Sequence, residues 1–343
     1  PLDRFLRLFA PVEGGEGGTV LVMALNIFVL MTAYYLIKPV REALILASGS
    51  AAIKTYASTG QALILLGVVP LYSRLASVLP RRRLIASVLL FFAGNLVLFY
   101  ILARARVGRG VPFYLWVGIF NFMVVAQFWS FANDVYTPGE GKRLFAIVGF
   151  GMSAGAVSGS FIAGRLIEPL GVYQLMLLSA GLVAVSLLLT AVVDRRRARP
   201  AVEAVATPDA PPEDMAGPNG FVLLLRSRYL LLIAAMMILA NLVNTTGEYV
   251  LGARVKAASE EAVAEVVRAH GQTDAAYEAA VDARTDRVGE GIGRFYADFF
   301  SVVNLAGLLI QLFLVARIVK WFGVRWGILV LPLVAMGGYA LMA

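Results

Sequence analysis

The sequence predicts an all-α, multi-pass membrane protein on three observations. Apolar residues make up 59% of the 343-residue chain and charged ones 15%, giving a mean hydropathy of +0.78. The apolar residues fall in runs of about 20, the length that takes a helix across a bilayer. The alternation of polar and apolar residues over about ten positions that marks a membrane β-barrel strand is missing. Cysteine is absent and histidine occurs once, as His270, which excludes thiol catalysis, cysteine zinc sites and disulfides. The net charge of +8 has two readings. One is the Lys/Arg excess of cytoplasmic loops. The other is an anion-handling cavity, which requires basic residues inside the helices.

Length and hydropathy predict nine spans, at about 19–37, 56–79, 84–103, 111–133, 144–167, 172–193, 229–250, 293–316 and 326–343. Basic residues follow spans two (Arg74, Arg81, Arg82, Arg83), four (Lys142, Arg143) and six (Arg195, Arg196, Arg197, Arg199). These share a side with Arg4 and Arg7, and the positive-inside rule makes that side, with the N-terminus, cytoplasmic. The expected location is a bacterial inner membrane. The chain starts at Pro1 without a methionine and stops inside an apolar run, so a piece of a longer protein is expected.

Residues 1–193 read as a six-helix transmembrane half. Residues 194–220, with Pro200, Pro208, Pro211, Pro212 and Pro218, cannot bury an apolar face and read as a flexible cytoplasmic linker. Residues 221–343 read as part of a second transmembrane half, interrupted at about 255–290 by an amphipathic helical insertion outside the membrane. A weak internal repeat supports a six-plus-six plan. Asn26 precedes Tyr34 and Leu36 at the offsets by which Asn241 precedes Tyr249 and Leu251, and Arg74 with Arg81 is echoed by Arg317 with Arg325. Chance similarity between apolar helices is the competing explanation. Such repeats mark carriers whose halves rock about a central site.

Four places could carry chemistry. The end of the first span holds Tyr34, Tyr35, Lys38, Pro39, Arg41 and Glu42. Pro39 removes a helical hydrogen bond, and apolar residues resume at Ala43, so Lys38 and Arg41 fall within or just beyond the helix. A cation inside costs at least ~2.5–3.5 kcal/mol unless it is paired or faces water. Interfacial anchoring and a cavity-facing position both answer that cost. The turn before span five sets Glu140, Lys142 and Arg143 together after Pro138; these are either loop charges obeying the inside rule or substrate contacts.

The seventh span clusters Asn241, Asn244, Thr245, Thr246 and Glu248, a polar group that lipid disfavours and that serves as interhelical glue or substrate contacts. Asp298 is a lone acid in span eight, able to pair with a base of the first span or to couple to protons. Gly151, Gly155 and Gly159 share one helical stripe, where bare backbone lets a neighbouring helix approach. The glycines around Gly149 do not form a nucleotide loop, since no strand precedes them and no Gly-Lys-Ser/Thr is present. No metal-ligand cluster, cofactor motif, catalytic triad or nucleic-acid patch is recognisable, so no cofactor and no enzymatic activity are expected.

At Trp129, Ala132, Asn133, Glu140, Lys142, Arg143, Phe145, Gly149 and Gly151 the sequence resembles the ATP/ADP translocase family of nucleotide transporters and its bacterial relatives. The segment from Tyr34 to Leu44 is also similar, with Arg41 and Glu42 where the family has Lys-Asp. Asn241 to Val243 resembles the family's Asn-Leu-Val; the family continues with a glutamate and a lysine where this chain has Asn244 and Glu248. The resemblance spans about nine of the family's twelve helices. It implies a fold like the major facilitator superfamily (MFS) and nucleotide antiport, ATP for ADP. A monomer in the lipid bilayer is expected. Lys38 and Arg41 would hold phosphates, Arg143 would assist near the cytoplasmic mouth, and the seventh span would meet the base or ribose. Two other functions are compatible with the sequence: proton-coupled carriage of another organic anion, and a membrane sensor or scaffold that no longer transports.

Overall fold

The computed structural model describes residues 11–107, 110–197, 226–267, 274–314 and 317. Arg4, Arg7, Arg199, the proline-rich stretch after Arg197, His270, Arg325 and the expected ninth span lie outside the described residues. Within them the chain is helical throughout: α1 (Gly17–Ser48), α2 (Ala51–Val78), α3 (Arg81–Arg104), α4 (Val111–Val135), α5 (Pro138–Leu170), α6 (Gln174–Arg197), α7 (Arg228–Val267) and α8 (Asp274–Leu309), which ends in a π-helical turn (Ile310–Leu314). Eight of these helices are long and apolar enough to cross a membrane, and no strand occurs among the described residues.

Local sequence explains where several helices begin and end. Ser50 caps α2, its hydroxyl accepting from the Ile53 N–H at 3.3 Å. Thr137 caps α5 with Pro138 at the first helical position, and Glu140 completes a capping box by accepting from the Thr137 N–H at 2.7 Å. Past the end of α5, Gly171 takes φ +81°, a conformation that side-chain-bearing residues avoid, and its N–H bonds the Ile167 carbonyl at 2.8 Å.

Two helices differ from the expected spans. α1 runs through Pro39 to Ser48 rather than ending near Ile37. One proline removes a single N–H, freeing the Tyr35 carbonyl, while the apolar residues from Ala43 to Leu46 stay buried and hold the last turns in place. The stretch at about 255–290 does not begin as a separate helix: its described parts continue α7 to Val267 and lead into α8 from Asp274.

α1 is the axis of the bundle. Nearly three-quarters of its most apolar stretch is buried, whereas the matching stretches of α2 and α7 hold no buried residue among the described ones. α5 lies along α1 in a parallel direction, and the glycine stripe makes the contact. A Cβ added at Gly151, Gly155 or Gly159 would lie 2.4 Å from the Ala24 carbonyl oxygen, 2.4 Å from that of Phe28 and 2.6 Å from that of Thr32. α6 covers another side of α1 through polar bonds. Ser186 donates to Asn26 Oδ1 (2.5 Å), Asn26 Nδ2 to Thr190 Oγ1 (2.9 Å), and Ser179 to the Ala33 carbonyl (2.9 Å). Between α3 and α4, Phe92, Phe99, Phe113, Trp116 and Phe120 pack as edge and stacked pairs. α8 packs on α1 and α5, and α7 rests on α8 and α2.

Candidate functional site

Two cavities flank the second half of α1, and the residues around Pro39 divide between them. The larger, ≈ 780 Å³, is lined by Met31, Tyr35 and Lys38 of α1, Asn121 and Phe122 of α4, Met152 and Ser153 of α5, and Asn304 and Gln311 from α8 and its π turn. Ser153 donates to Gln311 at 3.0 Å, and Asn304 donates to Ser160 at 3.2 Å, tying α5 to α8 beside the cavity. The Lys38 ammonium sits in a cage of rings, 3.9 Å from the centroid of Phe300, 4.9 Å from Tyr35 and 5.9 Å from Tyr34. Cation–π contacts of this kind offset part of a desolvated charge. Among the described residues no carboxylate pairs with Lys38.

The smaller cavity, ≈ 420 Å³, is lined by Arg41, Lys54, Tyr114, Asn241, Asn244 and Glu248 among others. Its cations are already matched. Arg41 holds Glu42 Oε1 through Nη2 at 2.5 Å and lies 4.6 Å from the Tyr114 ring. Lys54 holds Glu42 Oε2 at 2.8 Å and Glu248 Oε2 at 3.4 Å, with the Tyr296 ring at 5.5 Å. Asn244 donates to the other Glu248 oxygen at 3.3 Å. Glu42 is only 1% exposed, so two cations compensate one buried carboxylate, and Glu248 adds the second negative charge. The four groups sum to zero. Removing Glu42 would leave Arg41 and Lys54 as under-compensated, largely buried cations.

The structure thus separates what the sequence places together. Lys38 faces the large cavity, while Arg41, Asn241, Asn244 and Glu248 line the small one. Glu140, Lys142 and Arg143 lie at the far end of α5, about 15–20 Å along the helix from Ser153 by the helical rise. Glu140 caps α5, Lys142 is exposed, and Arg143 binds Glu16 (3.1 Å), Glu13 (3.3 Å) and the Pro11 carbonyl (2.7 Å). Asp298 lines neither cavity and makes no ion pair with a base of α1; it borders α5 at Gly164, where an added Cβ would lie 3.0 Å from its Oδ1.

Sequence reasoning missed Lys54, which joins α1, α2 and α7. Starting the second span at Tyr56 left it in a loop, yet the Ser50 cap and the apolar Ala51 to Ile53 were the signal that the helix begins earlier. It also missed Asn121, Ser153, Asn304 and Gln311, whose spacing carries no signature until the helices are assembled. The chain matches no family model, no curated protein and no solved structure.

Proposed function

We propose that the chain is a membrane carrier that exchanges nucleotides, in the manner of ATP/ADP antiport, by alternating access between an α1–α6 unit and the helices that follow it, on an MFS-like six-plus-six plan with a cytoplasmic N-terminus. The observation that supports this reading is Lys38: a cation with no counter-ion among the described residues, in the wall of a ≈ 780 Å³ cavity between membrane-length helices. That volume lies in the range of about 300–1,000 Å³ usual for small-molecule sites. Rings and amides beside the ammonium suit a base and its edges, and an anion supplies the missing charge.

The same charge gives a reason for exchange. Closing the cavity empty would take water from Lys38 with nothing to replace it, a cost that grows as the dielectric falls. A bound anion removes that cost, so the loaded carrier crosses more readily. Purified protein in vesicles should take up labelled nucleotide only when unlabelled nucleotide is trapped inside. Equal uptake into empty vesicles overturns the exchange mechanism.

A second reading, proton-coupled carriage of another organic anion, is favoured by one observation: the Asp298 carboxylate, on a membrane-length helix, is exposed and makes no ion pair among the described residues. Uptake driven by a pH gradient, unaffected by nucleotides and lost in Asp298→Asn, would replace the first reading with this one.

A further inference from the structure

We infer that the large cavity selects an anion with a single anionic group, which within the nucleotide class means a nucleoside monophosphate in preference to a di- or triphosphate. The inference rests on the carrier reading above and sets a monophosphate as the preferred substrate in place of the ATP/ADP pair. Lys38 is the one ionised side chain lining the cavity among the described residues; its polar neighbours Asn121, Ser153, Asn304 and Gln311 are neutral. Arg41 and Lys54, the cations next nearest along the chain, are held by Glu42 and Glu248 and line the other cavity. Recruiting either to a substrate would leave Glu42, 1% exposed, short of a partner.

A phosphate monoester carries about −1.5 to −2 at pH 7, and each further phosphoryl group adds negative charge that this wall does not match. In a site removed from water, unmatched charge is far more costly than at a surface. The neutral amides and the rings of Tyr35 and Phe122 hold the uncharged body of such a ligand, not more phosphate. One cation sets the charge; the rest of the wall sets the shape.

The test uses the full chain in vesicles, without divalent cations, and compares exchange of labelled AMP, ADP and ATP. Expected is AMP exchange about tenfold or more above ATP, the factor that ~1.4 kcal/mol supplies. Asn121→Lys, which adds a second cation to the wall, should move the AMP-to-ATP ratio toward ATP by about the same factor. ATP exchanged as fast as AMP by the natural chain, or an unchanged ratio in Asn121→Lys, overturns the inference. Thermal shift in detergent with AMP and ATP separates the two levels, since a bound ligand raises apparent stability. A larger shift with AMP but no exchange leaves the site's selectivity standing and removes the carrier reading. No shift and no exchange with any of the three removes both.

Discussion

Lys38 and Arg41 sit three residues apart on α1, yet their surroundings give them different work. Arg41 is satisfied by Glu42 and lies over the Tyr114 ring, whereas Lys38 has rings and neutral amides around it and no carboxylate partner among the described residues. Changing Lys38 to Gln keeps a polar, flexible side chain and removes the charge. A charge-assisted hydrogen bond contributes ~1.5–3 kcal/mol, so anion affinity should fall about 10- to 100-fold. The folded state should hold, because no carboxylate loses a partner. Thermal shift against nucleotide concentration measures the first expectation, and the melting temperature without ligand measures the second. A Lys38→Gln protein that binds as tightly as the natural chain would exclude Lys38 from the site. That both bases lie inside a helix was legible from the resumption of apolar residues at Ala43. Which base is paired was not, because Glu42 neighbours Arg41 in sequence while Lys54 reaches Glu42 only once α2 has folded back.

At the scale of elements, the glycine stripe decides how closely α5 approaches α1. The three glycines recur every fourth residue, as do Ala24, Phe28 and Thr32 opposite them, so two parallel ridges meet backbone to backbone. Gly155→Val places a Cβ 2.4 Å from the Phe28 carbonyl oxygen, and backbone cannot rotate away as a side-chain tip does. The helices must separate, at a cost of ~1–3 kcal/mol or more. Gly149→Ala on the same helix meets nothing within 4 Å and should be neutral or stabilising by up to ~1 kcal/mol through helix propensity. Thermal unfolding of the two purified variants checks the contrast; equal melting temperatures would show that the stripe does not set the spacing. The four-residue period was readable in the sequence, whereas its partner was not: α1 shows no complementary motif, since Ala24, Phe28 and Thr32 share no size and meet the glycines through their backbone. The turn at Glu140 carries the opposite lesson. Its Thr-Pro-Gly-Glu pattern is a helix start in any setting, and the cap occupies the acid that proximity to Lys142 and Arg143 had drawn toward substrate.

Across the whole molecule, polar contacts between α1–α6 and α7–α8 gather toward the end where α1 finishes. There Lys54 meets Glu248, Lys256 donates to the Gly49 carbonyl, Glu168 meets Arg294 (3.1 Å) and Tyr173 donates to Asp286 (2.9 Å). Nearer the other end, Ser153 with Gln311 and Asn304 with Ser160 are the last such contacts among the described residues. Sequence periodicity locates helices but is silent on this asymmetry, because each contact joins residues more than a hundred positions apart. On the carrier reading, the gathered contacts hold that end shut, and Glu248 is the one to test. Its carboxylate is half exposed and 3.4 Å from Lys54, so the pair contributes about 0.2–1 kcal/mol, and losing it leaves Lys54 on Glu42. Lys54→Met would instead take one of two cations from buried Glu42 and confuse closure with folding. The chain has no cysteine, so Asn121→Cys introduces a single thiol in the large cavity. Adding Glu248→Gln should raise its labelling by an impermeant maleimide from the α1 C-terminal side about two- to fivefold, the factor that such a pair supplies. Labelling from the opposite side should fall or stay level. An equal rise from both sides would mean general loosening, and no change would mean that the other three contacts close the end without Glu248.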